Sequence, residues 1–383
     1  MARSMKALCL SLGAALSLSA CGLFSNESRY EPVELTQYAQ SATGSIAWST
    51  NIGSGSGYGF APQVTTDSIF AATPDGSVAR VNSSTGATMW RVKLEQALAG
   101  GVGVGDGVVA VTTRNGQVIA LDAQNGNQVW SSRTSTIATT PPAVGNGVVV
   151  VRADDYRVQA YNVSDGSLLW SYVRTNPELA LKTTSRMVML PGAVAVAVPS
   201  GRLVGLNITN GRPVWEMIAA SVRGPTDLDS VTDVVGMPVL TGNEACMASY
   251  QGNVLCYSVA QGGPELRWAQ PFSSSVGIDL TESALLGAAV DGNVSAFNRA
   301  NGEVLWSNQT LKNRGLTNPV VHNNYVVVAD YEGYAHFFNF ANGDLQGRVS
   351  LGNSDPVVSP LVAAPNGVVA QTGNGNLVLF GVQ

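Results

Sequence analysis

Apolar residues fall in short bursts along this chain, not in long stripes. Val-rich runs such as "GVVAVTT", "VVVVRA", "AVAVAV" and "YVVVAD" are each bounded by Gly, Asn or Asp. Apolar runs this short, rich in β-branched residues and closed by turn formers, predict strands. After each run comes a tight turn and a second, alternating strand: "PDGSVARV", "RNGQVIAL", "DDYRVQAY", "PSGRLVGL", "YQGNVLCY", "VDGNVSAF", "YEGYAHFF" and "NGNLVLFG". A third phrase follows, as in "ALDAQNGNQVW", "AYNVSDGSLLW" and "AFNRANGEVLW". It carries Asn or Asp eight residues, and Gly four residues, before a Trp. The Trp residues are Trp48, Trp90, Trp130, Trp170, Trp215, Trp268 and Trp306, at steps of 42, 40, 40, 45, 53 and 38.

Each unit of about 40 residues thus holds four short strands, here termed a to d, which is the signature of a propeller blade. The expected fold is all-β: an eight-bladed β-propeller of four-stranded antiparallel blades. The last copy reaches Gln383 after its third strand, and Ile46–Thr50 around Trp48 has a fourth strand with no preceding three. Pairing these two pieces closes the ring and leaves no open edge. In this frame the Gly takes a positive φ in the c–d hairpin, and the Asn or Asp accepts turn N–H groups. The Trp residues fill the wedge between blades, a structural role; an indole array for a sugar or cofactor is the competing reading. One copy, "FFNFANGDLQG", has Gly347 where Trp is due, and the copy before Trp268 carries one extra turn residue.

Composition narrows the function. Charged residues are 12 % of the chain, against a usual ~25 %. Net charge is −5 with no Lys/Arg run, which argues against a nucleic-acid partner. Residues 1–20 form a signal peptide: Arg3 and Lys6, then the apolar stretch Ala7–Leu18, too short to span a bilayer. Leu18-Ser19-Ala20-Cys21 resembles the lipobox of bacterial lipoproteins, which implies acylation of Cys21. Gly at position 22, in place of the retention Asp of such proteins, implies the outer membrane, so the expected location is its periplasmic face. Residues 21–43 are polar and unpatterned and read as a lipidated tether; residues 44–383 are the propeller. Cys246 and Cys256 flank a turn, fall nearly opposite, and are candidates for a disulfide; two buried free thiols is the alternative. No cofactor and no metal is expected. His322 and His336 lie fourteen apart without a nearby Cys, and "TDLDSVTD" lacks the Gly and Glu of a calcium loop.

The Trp phrase resembles the tryptophan-docking motif of pyrroloquinoline-quinone (PQQ) dehydrogenases. With the lipobox, the tether and the length, the whole mature chain resembles the BamB family, lipoprotein propellers of the outer-membrane β-barrel assembly (BAM) machinery. That resemblance implies a non-catalytic scaffold that binds a POTRA domain of BamA and assists insertion of unfolded outer-membrane proteins. The chain has no adjacent Cys pair and little room for a dehydrogenase's added loops. A PQQ-dependent oxidoreductase and a ligand- or cell-wall-binding lipoprotein remain the alternatives. The two long Trp steps place extra residues in Ser171–Arg186 and Glu216–Gly236, consecutive d-to-a links on one face. By resemblance, Leu179, Leu181 and Lys182 match the family's L-x-L-R contact segment, with Lys for Arg. Asp233 matches the first acid of its Asp-x-Asp, and Val235 stands where the second is due.

Overall fold

The computed structural model describes residues 30–174, 185–220, 231–260, 262–352 and 355–383. These residues form 32 strands in eight separate four-stranded antiparallel sheets arranged as a propeller. Blade 2 is representative: β6 (Leu98–Gly105), β7 (Val108–Thr113), β8 (Gln117–Asp122) and β9 (Gln128–Arg133) pair in sequence order. Every residue of β7 is buried, whereas β9 mixes buried, intermediate and exposed positions. The middle strands are covered by neighbouring blades on both faces, so they read as unbroken Val runs. The core is therefore divided among blade interfaces. One cluster joins Val108, Ala110, Val118 and Trp130 of blade 2 to Val149, Val151 and Tyr161 of blade 3.

The ring closes as the half-strands predict. β1 (Gly44–Asn51) is the outer strand of blade 8, paired with β32 (Asn376–Val382), next to β31 (Gly367–Gln371) and β30 (Val362–Ala364). The register runs from Gly44 opposite Val382 to Asn51 opposite Asn376, with a bulge between Ile46 and Trp48.

The Trp phrase is an inter-blade fastener. Asp122 accepts the N–H groups of Gln124 and Asn125, and so shapes its turn. Gly126 takes φ 77°, and a Cβ there would lie 2.8 Å from the Trp90 ring of the preceding blade. The Trp90 indole N–H then donates to the Ala123 carbonyl at 3.0 Å. The same bond joins Trp48 to Ser83, Trp130 to Val163, Trp170 to Ile208, Trp268 to Arg299 and Trp306 to Phe340.

Two copies depart from this pattern, each for a local reason. Trp215 lies over Gly205 of its own sheet, where a Cβ would come within 2.1 Å of the indole. The blade it faces has the lengthened turn between β20 (Asn253–Ala260) and β21 (Gly263–Pro271); nothing lies within 4 Å of a Cβ at Gly263. Gly347, in the Trp position of β29 (Leu345–Ser350), faces a blade with no c–d turn, because strands c and d of blade 8 come from opposite ends of the chain. The Ala42 carbonyl occupies that space, 2.4 Å from a Cβ at Gly347.

Residues 33–42, in the second half of the span read as a lipidated tether, pack against the ring. Val33 donates to the Lys312 carbonyl, Leu35 joins a core cluster, and Ser41 and Ala42 both donate to the Gln346 carbonyl. Arg314, buried to 1 % exposure, donates to the Val33 carbonyl at 2.8 Å and to Asp330 at 2.8 Å. This lead segment runs down the outer edge of blade 7. Residues 1–29, with the signal peptide and Cys21, lie outside the described residues.

Candidate partner-binding face

All d-to-a links emerge on one face of the ring, and the two long ones are neighbours. The first leaves β13 (Leu168–Tyr172) of blade 3 and enters β14 (Val188–Leu190) of blade 4. The second leaves β17 (Pro213–Ile218) and enters β18 (Val234–Leu240) of blade 5. Leu179, Leu181 and Lys182 belong to the first link and lie outside the described residues. Asp233 belongs to the stem of the second.

The stems are built from turns and ion pairs. Arg174, at the exit of β13, donates to both Glu216 oxygens, at 2.9 and 3.4 Å, and Arg202 of blade 4 pairs with the same carboxylate. The Arg174 hydrogen bond, aided by Arg202, holds the Glu216 carboxyl below its ordinary range. This triad ties blade 3's exit to the outer strand of blade 4. Each member is about one-third exposed, so solvent screening weakens it as a stabilising term.

Asp233 is buried, at 5 % exposure. Its Oδ1 accepts the Ser200 N–H at 3.0 Å, and its backbone carbonyl accepts from Tyr250. Ser200 and Gly201 both have positive φ, 67° and 65°, which turns the b–c hairpin of blade 4 under the link. A Cβ on Gly201 would meet the Thr232 carbonyl at 2.5 Å, so the close fit requires glycine. Arg152 of blade 3 is also buried; it donates to the Ala197 carbonyl at 2.8 Å and to Thr140 Oγ1 at 2.9 Å. Burial pushes the Arg152 pKa down, and the charges of Tyr156, Asp233 and Asp154 work against that shift. The carboxylate at 233 therefore couples blades 3, 4 and 5 beneath the link. Burial of an Asp through a backbone N–H and a neighbouring cation leaves no signal in the local sequence. Val235, in place of the second acid, is 1 % exposed in a core cluster.

Cys246 and Cys256 pair directly across β19 (Glu244–Ser249) and β20 and are joined by a disulfide. Glu244 converges on the two sulfurs, but its oxygens take Arg267 and Arg299, each at 2.6 Å. Bonded sulfurs and a doubly paired carboxylate do not make a metal donor set.

Against known proteins, the sequence matches the family described as "Outer membrane protein assembly factor BamB" over residues 74–308 and 290–381. It is 56 % identical to the BamB of Taylorella asinigenitalis over 95 % of this chain and 94 % of that one. The chain belongs to the BamB family. The BamB of Bordetella pertussis is 42 % identical over 95 % of this chain and 94 % of its own. The crystal structure of Moraxella catarrhalis BamB superposes with TM-score 0.79 at 26 % identity, covering 88 % of this chain and all of that one. Quinohemoprotein alcohol dehydrogenase from Comamonas testosteroni, at 12 % identity, TM-score 0.67 and coverage of 88 % of this chain and 76 % of its own, shares the propeller fold. BamB proteins are assembly factors rather than enzymes, and the fold class, the PQQ-like repeat and the assembly role expected from the sequence agree with that membership.

Proposed function

We propose that the chain is a scaffold that binds the periplasmic POTRA region of BamA through its two long d-to-a links and assists the folding and insertion of β-barrel outer-membrane proteins. It works from the periplasmic face of the outer membrane, tethered by lipid on Cys21. The observation that carries this reading is the pair of adjacent long links whose stems are pinned by Asp233 and by the Arg174–Glu216–Arg202 triad. Pinned stems fix where the two links leave the ring, which lowers the ordering cost of binding. Leu179 and Leu181 are the apolar anchors and Lys182 the orienting charge; Asp233 acts from below by holding the second link in place.

The test is binding of the soluble body, lacking residues 1–21, to BamA's periplasmic domain by calorimetry. The double variant Leu179→Ala with Leu181→Ala weakens binding by about ten-fold or more, as anchor truncations do, at unchanged melting temperature. Unchanged affinity sinks the assignment of this face.

A further inference from the structure

The axial channel is lined by Arg186, a cation with no acidic partner among the described residues. Its larger lobe, about 280 Å³, is walled by apolar side chains of several blades, among them Ile278, Pro319, Val320 and Leu361, with Tyr58 and Met237 also lining it. A second lobe of about 190 Å³ lies against Pro141, Pro142, Met187 and Met189. Arg186 and Met237 line both lobes, so Arg186 lies where they meet. The backbone at 186 is fixed, because its N–H donates to the Gly236 carbonyl at 2.8 Å.

Arg186 makes no ion pair among the described residues. Burial lowers its pKa. The other ionisable wall group, Asp279, directs its oxygens to the backbone N–H groups of Leu280 and Val321, at 2.9 and 2.8 Å. Burial raises the Asp279 pKa, with no Arg186 contribution. A half-buried cation set among apolar walls, with no counter-ion among the described residues, is costly to keep.

We infer that the channel is a binding site for a small apolar monocarboxylate, its carboxylate held by the Arg186 guanidinium and its apolar body by the 280 Å³ lobe. The planar guanidinium fork matches a carboxylate in two parallel hydrogen bonds. A single wall cation suits one negative charge, and a polyanion would bring further charges against apolar groups. Arg186 ends the first long link, so an occupied channel also braces the base of that link.

The experiment uses the soluble body and two probes of nearly equal shape, 3-phenylpropionate and its neutral amide, titrated to about 10 mM by calorimetry, a ceiling that still captures weak millimolar binding. The acid binds saturably and the amide about ten-fold more weakly or worse, because the charged hydrogen bonds are lost. Arg186→Met, similar in length and uncharged, reduces acid binding to the amide's level. Equal binding of acid and amide, or no binding of either, overturns the site. The acid–amide comparison is made on the unaltered protein, so it decides the matter even if the variant folds poorly. Neither outcome depends on whether the long links bind BamA.

Discussion

At the residue scale, the repeated Gly and Trp act as one unit. A glycine with positive φ could be kept for its backbone alone or for the ring packed on it, and two turns separate these causes. Gly107 has φ 81° with nothing within 4 Å of a Cβ, whereas Gly166 has φ 72° and would place a Cβ 2.5 Å from Trp130. Gly107→Ala is expected to cost about 1–2 kcal/mol from left-handed strain alone. Gly166→Ala adds displacement of the docked indole and its bond to Val163, for a total of about 3 kcal/mol or more. Urea titration of both variants measures the difference; equal losses would mean that the ring contact contributes nothing. The Gly–Trp spacing was legible in the sequence. That six of the seven Trp reach forward into the next blade's turn was not, because the repeat spacing is silent on which neighbour is touched.

At the element scale, the lead segment is held by a buried charge network on blade 7. Arg314 bridges the Val33 carbonyl to Asp330, and His336 Nε2 lies 2.9 Å from the same carboxylate. Burial would raise the Asp330 pKa, but hydrogen bonds from His336, Tyr334 N–H and Arg314 outweigh it and hold the carboxyl low. Burial lowers the His336 pKa more than Asp330 raises it, so the imidazole is neutral in the folded chain. Its Nδ1 has no hydrogen-bond partner among the described residues. A depressed folded pKa means that the unfolded chain takes up the proton first. The contribution is therefore full above the ordinary histidine value of about 6.5 and is lost as pH falls from there toward the folded value. Stability measured by urea midpoint should drop between pH 7 and pH 5, and His336→Phe should flatten that slope. An unchanged slope would place the pH dependence elsewhere. None of this network was legible beforehand: "GLFSNESRYEPVELTQYAQSAT" lacks apolar periodicity, and its docking relies on backbone carbonyls and one buried Arg far along the chain.

At the scale of the whole molecule, the blade count, the ring closure and the face carrying the long links were all visible as repeat phase and spacing. The inward turn of Asp233 and the placing of Arg186 in the channel were not, because both depend on which blades converge. The closing strand also sets a prediction. A chain starting at Thr43 keeps β1 and is expected to remain a monomeric ring, less stable for losing the lead segment. A chain starting at Gly53 lacks β1 and leaves the edge of β32 unpaired, together with the Trp48 bond to Ser83. It is expected to oligomerise through that edge. Light scattering after size exclusion distinguishes the two, and a monomeric chain from Gly53 would show that β1 is dispensable.

The pairing of Gly44–Asn51 with Asn376–Val382 also sets when folding can finish. β1 leaves the ribosome before its partner β32, so blades 1 to 7 can form while the circle stays open. A chain cut short anywhere before β32 keeps a bare edge at each end, a ready mark for proteases and chaperones. Arrival of β32 is thereby written into the shape itself: only a chain that includes it has no loose seam.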